Sequence, residues 1–132
     1  MHSFFDHNAT TQDITVRASV TYLHDQSEAD KARWFWSYHI RIENHGDKTM
    51  QLLTRHWHIT DGRGGVHIVD GEGVVGEQPV LEPGQTHDYV SGCPLNTPTG
   101  SMKGHFRMLC ADDSMIDVDI PHFPLVAPAT AR

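Results

Sequence analysis

Residues 14–22 alternate without a break, with Ile14, Val16, Ala18, Val20 and Tyr22 on one side and Thr15, Arg17, Ser19 and Thr21 on the other. Successive side chains of an extended chain take opposite faces, so this period of two predicts a half-buried strand. Residues 34–43 repeat the pattern, setting Trp34, Trp36, Tyr38, Ile40 and Ile42 against Ser37, His39, Arg41 and Glu43. The stretch between them, His24 to Arg33, is polar and carries no apolar stripe. It has room for one helical turn after Ser27 but not for a helix that docks on a core. A third strand over residues 50–60 places Leu53, Trp57 and Ile59 on one face and Thr54, His56 and His58 on the other.

Turn chemistry separates these runs at Asn44-His45-Gly46-Asp47, at Thr60 to Gly65, and at Glu82-Pro83-Gly84-Gln85. Proline followed by glycine at the centre of the last suits a type II turn. Shorter strands are predicted at 66–69, near Val80, and over 86–91, 102–110 and 115–120. Pro121, Pro124 and Pro128 should end regular pairing and leave the tail extended. Seven to eight short strands with regularly spaced turns predict an all-β, immunoglobulin-like β-sandwich. The expected organisation is a flexible N-terminal segment over 1–12, a single domain over 13–127 and a tail over 128–132.

Composition narrows the function. At 132 residues and 38% hydrophobic, the chain suits one two-layer domain whose strands each turn a polar face outward. A formal charge of −7 without a run of Lys or Arg argues against nucleic acid as a partner. The start, Met1 to His7, lacks the basic and apolar parts of a secretory signal, and no segment reaches the ~20 apolar residues of a membrane span. A cytoplasmic protein is expected, which favours free thiols for Cys93 and Cys110. Eleven histidines are scattered along the chain, so the net charge should be strongly pH-dependent.

Four constellations carry candidate chemistry. Gly71-Glu72-Gly73-Val74-Val75-Gly76 spells G-x-G-x-x-G, the fingerprint of dinucleotide-binding turns, in which glycines open a helix that holds a pyrophosphate. Pro79, Pro83 and Gly84 follow too closely for that helix to form. The loop can still offer Gly71, Gly73 and Gly76 amides to an anion. Asp70, Glu72 and Glu77 oppose this unless Arg63 or another remote cation folds over, which favours a structural or partner-contact role. His56 and His58, about 6.6 Å apart on one strand face, could converge on one Zn²⁺, Co²⁺ or Ni²⁺, but two histidines are an incomplete site and a solvated strand face is the simpler reading. Asp117 and Asp119, two carboxylates on one strand face, could act as an acid/base pair or bind Mg²⁺ through oxygen, but their alternation with Ile116, Val118 and Ile120 is what a solvated strand face gives. Trp36 and Trp57 read as core, whereas Trp34 and Phe35 are candidates for an exposed aromatic patch.

The ordered run Gln51-Leu52-Leu53, Arg55-His56-Trp57, Ile59-Thr60-Asp61, Gly71 to Gly76, Gln78-Pro79, Pro83-Gly84, Ser91-Gly92, Gly104-His105, Asp119-Ile120-Pro121 and Phe123-Pro124-Leu125 resembles the ApaG family. The resemblance spans residues 12–127. It implies an immunoglobulin-like or fibronectin type III-like sandwich and a link to cobalt tolerance and magnesium efflux. It supplies no catalytic residues. His56 falls within the family's Arg-x-Trp stretch, while His58 is particular to this chain. The resulting expectation is a non-enzymatic binding or protein-interaction module without an obligatory cofactor, monomeric or homodimeric, acting through an unidentified protein partner. Two alternatives stand beside it: a nucleotide or pyrophosphate sensor using the glycine loop, and a divalent-metal binder using His56 and His58.

Overall fold

A computed structural model describes residues 5–132. Among these residues nine antiparallel strands form two sheets. The first sheet orders β1 (His7–Thr11), β2 (Ile14–Tyr22), β3 (Trp34–Asn44) and β7 (Thr86–Leu95). The second orders β5 (Val66–Glu72), β4 (Met50–Asp61), β8 (Thr99–Cys110) and β9 (Met115–Val126), with the two-residue β6 (Val80–Leu81) also paired to β4. The immunoglobulin-like sandwich read from the pattern is the fold. Its core lies between the sheets, where Val16, Ile40, Ile42, Leu52, Phe106 and Phe123 are fully buried.

The segment read as a flexible lead-in behaves differently over its described part. His7–Thr11 is a strand paired to β2, with Ala9 opposite Val16. Residues 1–4 lie outside the described residues. The Phe4 to Thr11 run has no clean apolar alternation, because β1 is an edge strand held by its ladder and by β9: the Thr11 hydroxyl accepts from the Asp119 amide at 3.0 Å.

Three further differences have local causes. Leu53 does not point into the core; a bulge between Leu52 and Thr54 shifts the phase, so Met50 and Leu52 are inward before it and Trp57 after it. Pro121 and Pro124 do not end pairing, because β9 is an edge strand and Pro121 falls where the ladder skips between Met102 and Gly104. Trp34 and Phe35 make no exposed patch: Trp34 is buried and its Nε1 donates to the Ala131 carbonyl at 2.6 Å. The C-terminal turn Ala129–Ala131 is thereby fastened to the sandwich. The region 24–33 forms two short 3-10 turns and no docked helix. At Glu82–Gln85 the Gln85 amide donates to Glu82 at 2.9 Å and Gly84 has φ +85, as a type II turn requires.

The sandwich is asymmetric. β1 and β2 pack on β9 and close one side, whereas no comparable contact joins β7 to β5 on the other. Both of those strands are sheet edges.

Candidate functional site

The open side holds a cleft. A cavity of about 630 Å³ runs between the sheets, walled by Tyr38, Cys93 and Leu95 on one side and by Trp57, Val69 and Met102 on the other. A second cavity of about 340 Å³ continues beneath the loop Val74–Gly76 and reaches Tyr89. Tyr38, Arg55 and Ser91 line both, so they form the polar junction between them.

Arg55 is there because of the bulge at Leu53, which sets Arg55 and Trp57 on the inward phase. Its register partner on β5 is Gly71. A Cβ on Gly71 would sit 2.7 Å from the Arg55 Cζ, so any larger residue there would make the guanidinium shift. From that position Arg55 Nη1 donates to the carbonyls of Glu72 and Gly73, each at 2.9 Å.

The glycine motif follows from this arrangement. Gly73 has φ +64, and a Cβ there would lie against the Glu77 carbonyl. Val75 and Gly76, at φ 48 and 78, form the centre of a two-residue turn between Val74 and Glu77. The Gly73 amide donates to Leu53, Val74 to Glu77 and Glu77 to Val74. The Gly73 amide is therefore engaged by β4 and the Val74 and Glu77 amides by each other, and two of the loop carbonyls face a cation. The remote cation that an anion role demanded is present as Arg55, below the loop and facing the cleft.

Burial governs ionisation in the cleft. It pushes the Cys93 thiol up to about 11 and the Tyr89 phenol higher still, the latter reinforced by Tyr38 and partly offset by Arg55. Burial also raises Tyr38, against the pull of the adjacent Ser91 hydroxyl. Cys93 and Cys110 are free thiols. The Tyr89 hydroxyl is buried without a hydrogen-bond partner among the described residues.

His56 and His58 lie on the outer face of the second sheet, beside a shallow hollow of about 780 Å³ that also meets His105 and Lys103. His56 stacks on His105 at 4.8 Å between centroids, and its Nδ1 lies 2.5 Å from Asp70. His58 Nδ1 is buried without a hydrogen-bond partner among the described residues. Among the described residues no group of three or more His, Cys, Asp or Glu is arranged to hold a metal ion. Asp117 lies opposite Arg107, 3.5 Å from its Nε, on an exposed face.

The family model of the ApaG domain matches residues 24–110. The chain belongs to the ApaG family. It is 48% identical over 126 residues to Protein ApaG of Sinorhizobium fredii, covering 96% of this chain and 97% of that one. With Protein ApaG of Caulobacter vibrioides it shares 46% identity over 125 residues, covering 95% and 89%. A crystal structure of the ApaA protein from Bordetella pertussis superposes with a TM-score of 0.85 at 41% identity, covering 89% of this chain and 95% of that one. The ApaG domain match begins after β2 and ends with β8, and so contains Arg55, the glycine loop and every cleft-lining residue named above.

Sequence reasoning missed Arg55, Tyr38, Tyr89 and Ser91 as a group. A signal existed for the first. Arg55 occupies the same parity as Trp57 and Ile59, a charged residue on an apolar phase, and such a residue needs a partner or a cavity.

Proposed function

We propose that this ApaG-family protein is a non-catalytic binding module whose ligand enters the cleft between β5 and β7. The observation that carries this reading is the one-sided closure of the sandwich. It leaves an apolar cavity of about 630 Å³ with a few convergent polar groups at its inner end. Small-molecule sites have this character and volumes of roughly 300–1,000 Å³. A binding role suits the chemistry of the lining. The Cys93 thiol, pushed up to about 11, stays protonated at neutral pH and is a poor nucleophile. Both phenols are held protonated by burial.

In this reading the glycine loop is the lid support that seats Arg55, and a nucleotide sensor built on its amides has less to draw on. A role in cobalt tolerance and magnesium efflux, implied by the family resemblance, would run through another component. Among the described residues no helix is long and apolar enough to cross a membrane.

The test blocks the mouth of the cleft. Val69 lies on the edge strand, 39% exposed, and lines the cavity. Val69→Trp should abolish binding of the neutral apolar probe N-phenyl-1-naphthylamine, followed by its fluorescence. Full binding by a folded Val69→Trp variant would place the apolar site elsewhere.

A further inference from the structure

Tyr89 is 8% exposed, yet its hydroxyl meets no hydrogen-bond partner among the described residues. A buried hydroxyl is costly unless it is bonded, so its position calls for an acceptor. Arg55 is in a related condition. Nη1 is engaged by the loop carbonyls, but Nε and Nη2 make no hydrogen bond, and Arg55 forms no ion pair among the described residues. Ser91 and Tyr38 supply two more hydroxyls to the same junction. Four donor-bearing side chains thus line one cavity, the Tyr89 hydroxyl itself being covered in the ligand-free chain.

The charge around them is one-sided. The chain carries a net −7, yet the larger cavity is lined by Arg33 and Arg55 and by no Asp or Glu among the described residues. Glu72 is the acidic group on the smaller cavity, and it is exposed on the rim where water screens it. Val75 adds an independent sign. It is a β-branched residue at φ 48, 64% exposed, over the smaller cavity. A strained backbone that displays an apolar side chain is a mark of function, because a turn residue such as Asn would sit there at lower energy.

We propose that Arg55, Tyr89, Tyr38 and Ser91 form a recognition site for an oxyanion, a carboxylate or a phosphate, carried on an apolar body that fills the larger cavity. The proposal rests on the cleft being the ligand site and adds the chemical class of the ligand. A planar guanidinium with two free donor positions and hydroxyl donors around it matches the lone pairs of such a group. The apolar body would lie along Trp57, Leu95 and Met102.

The experiment is displacement of N-phenyl-1-naphthylamine from the full-length protein by decanoate, decyl phosphate and decanol, with the wild type and Tyr89→Phe compared. Decanoate or decyl phosphate should displace the probe at concentrations about tenfold below decanol, and Tyr89→Phe should remove most of that preference, as expected for one lost bond to a charged group. The ranking of decanoate against decyl phosphate identifies the head group. Equal potency of all three would overturn the oxyanion site and leave the cleft standing. An anion preference unchanged in a folded Tyr89→Phe variant would also overturn it. Failure of all three to displace the probe would remove both readings.

Discussion

Tyr89→Phe should make the ligand-free protein more stable, not less. The substitution keeps the ring, which packs edge-on to Phe106 at 6.4 Å between centroids, and deletes only the hydroxyl. In the folded chain that hydroxyl is buried and unpartnered among the described residues, whereas in the unfolded chain it bonds to water. An unsatisfied buried group costs about 1–3 kcal/mol, and small rearrangements of the neighbouring Tyr38 and Ser91 recover part of this. The expected gain is therefore about 1 kcal/mol, which for a domain of this size raises Tm by about 3–5 °C. Urea unfolding followed by circular dichroism, with an unchanged slope, measures it. Tyr38→Phe is the control: its phenol adjoins the Ser91 hydroxyl, so it should lose about 0.5–1.5 kcal/mol. A loss of 1 kcal/mol or more in Tyr89→Phe would refute the reasoning, since it would mean that the hydroxyl is already satisfied in the free protein.

Gly71→Ala should displace the Arg55 guanidinium, because the new methyl would lie 2.7 Å from it, breaking both bonds to the loop carbonyls. A loss of about 2 kcal/mol and faster amide exchange at Gly73 and Glu77 are expected; wild-type exchange rates would contradict the seating of Arg55 by the motif. Val75→Asn should stabilise by about 1 kcal/mol in urea unfolding, since Asn accepts the left-handed conformation more readily. Glu43 provides a pH test. Burial alone would raise its carboxyl, but bonds from Arg17 at 3.0 Å and from His45 outweigh burial and hold it below the ordinary range. Its stabilisation is thus complete above the unfolded value of about 4.3 and lost as pH falls through the lower folded value. Glu43→Gln should flatten the acid limb of a pH–stability curve below about pH 4, and an unaltered limb would assign that dependence to other carboxylates.

The sequence is most informative where burial is one-sided. The alternation over 14–22 and 34–43 fixes the register of β2 and β3, because a one-residue slip would turn Val16, Ile40 and Ile42 to solvent. It is least informative where tertiary contacts override local pattern. β1 has little apolar content of its own, and β9 continues through two prolines that lie at an edge and at a ladder skip. The bulge at Leu53 leaves no clear trace in composition, yet it decides the phase that brings Arg55 inward. The glycine motif shows how the site escapes a linear reading. Gly71 makes room for a side chain sixteen positions earlier that only the β4–β5 pairing brings opposite it. Tyr38, Ser91 and Tyr89 lie on inward phases and read as core, so nothing local separates a cavity hydroxyl from a packed one.

The most direct test of the cleft as the binding site is a ¹⁵N–¹H correlation spectrum of the full chain, recorded while a mixed library of small apolar fragments is added. Fragments that bind should shift the amides of Trp57, Val69 and Ser91 to Leu95 together, with the Arg55 side chain following. Shifts confined to the outer face around His56, His58 and His105, with the cleft amides unmoved, would contradict the account.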